Sequence, residues 1–178
     1  MRITFIGHVC VDKNLIRGEI ETFYGGGVIH GAVTAKRLGA EASVLTKCAE
    51  ADREHFTSFR DAGVDATFLP SRSSTSIRNE YPTGNPDDRR SHIISRADPF
   101  SSADIASLEA DVVHLVYDGR ELYESPFTSF TVEGRTGRGD TCTAAFLVGM
   151  QRMGLREATA LAAEVTSRKM QHRGAYRG

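Results

Sequence analysis

The sequence predicts an α/β fold built on a largely parallel sheet. Three observations carry this expectation. Short apolar, β-branched runs alternate with helical patterns between residues 3 and 70. Glycine-rich stretches lead directly into helical patterns at residues 25–38 and again at 134–153. The final third is helical, with only a glycine to break it.

Taken in order, residues 3–7 (ITFIG) form an apolar run closed by glycine, the pattern of a buried strand. GEIETFYGGG follows, part strand and part turn. From Val28 to Leu38 the period becomes helical, with Val28, Ala32, Ala35 and Leu38 on one face and Gly39 as the stop. ASVLTK (42–47) reads as the next strand. Asp52 is placed to cap a helix carrying Phe56 and Phe59, and AGVDATFLP closes that helix and opens another strand.

Residues 71–100 differ. TSIRNEYP and SHIISR are mostly polar strands around the turn-rich loop TGNPDDRR. With so few core residues they suit a small flap on the main sheet, or an exposed hairpin without a role. ADVVHLVYDGRELYE alternates on both sides of Asp118-Gly119, a hairpin signal. Thr141–Met153 is then helical, Gly154 interrupts, and Leu155, Ala158, Leu161, Ala162 and Val165 share one face. No internal repeat or low-complexity tract is evident.

Composition narrows the function classes. At 178 residues, with 40% hydrophobic and 25% charged residues, the chain is of ordinary globular make-up. Its formal net charge of -1 gives no electrostatic reason to expect nucleic acid or an anionic membrane as partner. No apolar run approaches the length of a membrane span, and the N-terminus has no signal-peptide pattern. Cys10, Cys48 and Cys142 show no metal-type spacing, which suits a reducing, cytoplasmic location.

The most informative stretch is EGRTGRGDTCTAAFLVGM, residues 133–150. A helix N-terminus has unpartnered N–H groups and a partial positive charge. Glycines before it let amides converge and let a ligand approach the backbone. Gly137, Arg138 and Gly139 therefore make an anion cradle, and Asp140 beside it can accept a proton. An acid next to an anion cradle suits phosphoryl transfer. Two plainer readings stay open: Asp140 as an N-cap only, and the glycines as a simple turn. The Arg-Gly-Asp tripeptide is read as coincidence. Neither a P-loop nor a GxGxxG fingerprint is present.

This stretch resembles the C-terminal signature of ribokinase-type (PfkB) carbohydrate kinases, DTxGAGD. FIGHVCVD, YGGGVIHGAVTAKRLGAEASVLTKC and ISRADPF are similar to the myo-inositol kinase-like branch, in the family's order over nearly the whole chain. The resemblance implies a ribokinase-like three-layer α/β sandwich, mostly parallel, as one domain over residues 1–178, with lid strands at about 11–24 and 75–96. It implies ATP-dependent phosphorylation of a hydroxyl on a sugar or polyol, myo-inositol first, with Mg2+ and often a monovalent cation. By position, Asp140 matches the catalytic base, and Gly137, Arg138 and Gly139 match the anion hole. Asp12, Gly25, Gly26 and Gly27 match substrate-binding positions. His30 falls where many members carry a substrate-binding asparagine, and a packing role fits it equally.

The sequence also departs from the family pattern. Gly134 and Arg135 replace the usual Asp-Thr, and Arg138 replaces alanine. No Asn-x-x-Glu motif occurs, several central elements are expected to be missing near Leu115-Val116, and the chain stops short of the family's last helix. Loss of central strands would expose a sheet edge, which pairing with a second copy would cover. The alternative expectation is therefore an inactive, shortened kinase fold that binds a polyol or self-associates.

Overall fold

The computed structural model describes residues 2–16, 18–83, 88–105, 132–134 and 136–178. In chain order the first elements are β1 (Arg2–Ile6), β2 (Cys10–Ile16), β3 (Glu19–Gly25), α1 (Gly27–Arg37) and β4 (Glu41–Cys48). A 3-10 turn (Glu50–His55), α2 (Ser58–Ala62), β5 (Asp65–Pro70), β6 (Thr75–Glu80) and β7 (Arg90–Ser95) follow. α3 (Ser102–Ile105), α4 (Arg138–Met150) and α5 (Leu155–Met170) complete the set.

Strands β1, β4 and β5 form a parallel sheet in the order β1-β4-β5. The middle strand is buried almost continuously from Val44 to Cys48, apart from its start, because both of its faces are covered. This explains why ASVLTK reads as an unbroken run rather than an alternation. Helix α1 packs Val28, Ile29, Ala32 and Val33 into a core shared with Val9, Val11, Val44, Phe56 and Phe59. Close approach is part of that packing: a Cβ on Gly31 would lie 2.6 Å from the Phe5 ring.

The second sheet has the order β3-β2-β6-β7 and is mixed: β2 pairs antiparallel with β3 and parallel with β6, while β6 pairs antiparallel with β7. Strands β6 and β7 are the polar strands that the sequence set apart from the main sheet. Strand β7 is exposed along most of its length, Ile93 and Ile94 included.

Helices α4 and α5 form an antiparallel-type hairpin around Gly154, and a Cβ on Gly149 would lie 3.0 Å from Ala158 Cα. The buried hydroxyls of Thr34 and Thr141 meet at 3.4 Å, joining α1 to α4. Among the described residues no helix is long and apolar enough to cross a membrane. The expected hairpin about Asp118-Gly119 and the join near Leu115-Val116 lie outside the described residues.

Two local expectations need correction. Asp52 does not cap a helix: residues 50–55 form a 3-10 turn, and α2 begins only at Ser58 with no side-chain cap. The Asp52 carboxylate instead accepts the Ser74 hydroxyl at 2.6 Å, and Ser74 Oγ accepts the Ala49 N–H. A long-range bond has replaced the local one. Helix α4 also starts at Arg138, earlier than Thr141, because the glycines of the signature enter its first turn.

Candidate functional site

The site is assembled where two helices begin. Helix α1 starts after Gly26 and α4 after Gly137, and neither N-cap supplies a side-chain hydrogen bond. Both ends therefore keep their free N–H groups and their positive dipole ends for a ligand. Gly26 has φ 119 and Gly137 has φ 78, values that glycine adopts at no steric cost. Beside Gly139 there is open space, since a Cβ there would meet nothing within 4 Å.

Asp140 is the third residue of α4 and is solvent-exposed. It is not the N-cap; Gly137 is. Its carboxylate lies against α1: a Cβ on Gly27 would sit 2.6 Å from Oδ1. The first glycine loop therefore makes room for the acid of the second. At the other end of the same run, a Cβ on Gly25 would lie 3.8 Å from Asp12 Oδ2. Gly25, Gly26 and Gly27 thus have separate reasons: contact with Asp12, backbone conformation, and space for Asp140.

Asp12 sits on β2 between Phe23 of β3 and Ile77 of β6. Its Oδ1 accepts the Cys10 thiol at 3.1 Å. Burial raises the Asp12 carboxyl above the ordinary range, opposed by that hydrogen bond and by the charge of Arg89. Two residues along the same strand, Asn14 faces the same cavity, fixed by Asn79 Nδ2 at 2.8 Å. The cavity is about 690 Å³, a usual size for a small-molecule site, and Asp12, Asn14, His30, Arg89, Thr136 and Lys169 are in its wall. Asp140 lines a separate recess of about 370 Å³ with Gly7, His8 and Gly27. The glycine run serves both, Gly25 on the cavity and Gly27 on the recess.

His30 is 5% exposed, and its ring packs so closely on Gly137 that no Cβ would fit there. Its Nδ1 is buried without a partner. Burial, with a contribution from Lys169, lowers its pKa to about 4, so the ring is neutral at pH 7. Packing and cavity lining are combined in one side chain. The unfolded chain takes up a proton near pH 6.5 that the folded chain refuses until about pH 4. Stability from this group is therefore complete above pH 6.5 and falls as pH drops through that window, by up to roughly 3 kcal/mol. We expect His30→Asn to flatten the pH dependence of unfolding free energy between those limits by about one proton. Denaturant titrations at a series of pH values check this, and equal slopes for both proteins would contradict it.

Sequence reasoning named Asp12, the glycines, His30 and Asp140, and the fold brings them to these two helix starts. It missed Asn14, Arg89 and Lys169. The two-residue spacing from Asp12 was a usable signal for Asn14. Arg89 lay unremarked in a turn-rich loop, and Lys169 unremarked near the end of α5.

No protein-family model matches the chain, and no curated protein matches it. Solved structures do. One is a sulfate complex of a pyrophosphate-dependent kinase in the ribokinase family, 33% identical, with a TM-score of 0.89; the match covers 99% of this chain and 98% of that one. This chain belongs to the ribokinase family. A pyrophosphate-dependent kinase of that family complexed with a pyrophosphate analog and myo-inositol is 32% identical, with a TM-score of 0.86 and coverage of 99% and 97%. A pyrophosphate-dependent myo-inositol-1 kinase converted by mutation into a myo-inositol-3 kinase is 31% identical, with a TM-score of 0.85 and coverage of 99% and 95%. The ribokinase-like α/β fold and the general class of carbohydrate or polyol kinase follow from these likenesses.

Proposed function

We propose that this protein transfers a phosphoryl group to a hydroxyl of a small polyol, with myo-inositol as first candidate. The observation that carries the reading is the glycine run whose ends lie against two carboxylates, Asp12 and Asp140, at the start of α1. Asp12 and Asn14 accept and orient acceptor hydroxyls in the larger cavity. In this reading the reacting hydroxyl extends over the glycine run from the cavity to the recess, where Asp140 takes its proton as its oxygen attacks the terminal phosphorus. The amides at the start of α4 hold the charge that develops on the transferring group, which leaves its former partner as phosphate or ADP.

Pyrophosphate is the first donor to try, because it is the donor named for relatives aligned over the whole chain. ATP, which the signature itself suggested, is the second. Among the described residues no cluster of three His, Cys, Asp or Glu side chains could hold a metal ion.

The test is phosphorus NMR of the protein incubated with Mg2+, myo-inositol and each donor in turn. Appearance of an inositol phosphate supports the reading and identifies the donor. Calorimetric binding of myo-inositol without transfer from either donor would replace it with a polyol-binding protein that has lost turnover.

A further inference from the structure

Lys169 is a buried charge that the proposed chemistry does not use. It is 0% exposed, and among the described residues no carboxylate pairs with it. Its Nζ donates to the carbonyl of Gly134 at 2.7 Å. Burying an ammonium is costly, and here burial brings its pKa down to about 8. A methionine would fill the same volume at far lower cost. The position of the charge must therefore be of use.

That position is under the loop that leads into the cradle. Gly134 is three residues before Gly137, the N-cap of α4. The N–H groups of Glu133 and Gly134 donate to the carbonyl of Met170, next to Lys169, at 2.9 and 3.2 Å. One hydrogen bond thus ties the ammonium to the loop, and two more tie the loop to the backbone beside it. Its charge also reaches His30, whose ring lies on Gly137. A mobile monovalent cation, which the family resemblance implies, fits this place poorly. The Gly134 carbonyl is already occupied by Nζ, and a Cβ on Gly134 would strike the carbonyl of His172, so the acid common at that position has no room.

We propose that Lys169 is a built-in cation of the phosphate cradle: its ammonium, held on the Gly134 carbonyl behind Thr136–Gly139, does the work of a bound monovalent ion, and donor binding needs no monovalent salt. This rests on the reading of the α4 start as the donor's cradle. Lys169 acts through the loop and touches no reacting atom, so it is a positioning residue.

The experiment measures pyrophosphate binding by calorimetry, without polyol, in potassium, sodium and choline salts at one ionic strength. Wild type should bind equally in all three. Lys169→Ala, which vacates the place of the ammonium, should bind about tenfold or more weakly in choline and recover with potassium or ammonium, the size expected for loss of a charge-assisted bond. Circular dichroism and melting temperature establish that the variant folds. Loss of wild-type binding on replacing potassium with choline would overturn the proposal, even if the alanine variant does not fold. So would a folded variant that binds as tightly as wild type, or one whose weakened binding neither ion restores. No pyrophosphate binding in any salt would sink the cradle reading together with this proposal. Binding without polyol phosphorylation would sink only the proposed activity and leave the cation assignment standing.

Discussion

Replacing Asp140 by asparagine is expected to lower kcat by about 100- to 10 000-fold while leaving polyol binding almost unchanged. Asparagine has the shape of aspartate, so the contact with Gly27 and the start of α4 are preserved. What disappears is the capacity to take a proton. Stability should fall only by about 0.3–1 kcal/mol, from the lost negative charge in the first turn of a helix. The comparison that matters is between turnover and calorimetric myo-inositol affinity on the same sample. A drop in kcat below about tenfold would remove Asp140 from the role of base, because general-base catalysis is not worth so little. Lost affinity with the melting temperature unchanged would instead make it a binding residue.

The role of Asp140 was visible in the sequence as a choice between base and cap, and geometry decides part of that choice. A capping aspartate stands before the helix and bonds back to its amides. Asp140 stands inside the first turn, with Gly137 as the cap and its own carboxylate turned to the other helix. The sheet strands β1, β4 and β5 were equally legible, because each is a short apolar run with turn residues at its ends. The reason lies in local chemistry: the central strand β4 is covered on both faces and must be largely apolar, while the half-buried edge strands β1 and β5 still carry apolar residues bounded by turns.

Long-range partners leave no such mark. Nothing in CVDKNLI or TSIRNE says that β2 and β6, some sixty residues apart, pair in parallel. Nothing near Asp52 announces Ser74 as its partner. Lys169 is the sharpest case. SRKM at the end of a polar-faced helix looks like a solvated terminus with basic residues near the C-terminal dipole. Arg168 meets that expectation, half exposed and paired with Glu164 at 2.6 Å. Its neighbour Lys169 points the other way, into the protein and onto Gly134. One step along a helix rotates a side chain by about a quarter turn, so burial of either residue was a matter of packing that only the fold reveals.

Gly137→Ala should damage both the fold and the chemistry, and Gly139→Ala should separate the two. At Gly137 the backbone is left-handed, with φ 78, which costs any other residue about 1–2 kcal/mol. An added methyl would also run into the ring of His30, which is buried by α1 and has little freedom to retreat. Overpacking of that kind costs about 1–3 kcal/mol, so the variant should lose roughly 2–5 kcal/mol of stability in all. Turnover should fall as well, because the shift falls on the residue from which the cradle amides are aimed. Gly139 has open space around it and an ordinary helical backbone. Alanine there should hold or slightly raise stability, by up to about 1 kcal/mol, since it is the better helix former. Its methyl would stand in the space left for the donor, so donor KM should rise while polyol KM stays constant. Denaturant unfolding and steady-state kinetics on both variants give the contrast. Combining Gly137→Ala with His30→Ala should recover part of the lost stability, because the second change removes the ring with which the methyl collides. If the double variant is no more stable than the sum of the two single changes, the His30 ring is not what Gly137 accommodates, and the cost lies in the left-handed backbone alone.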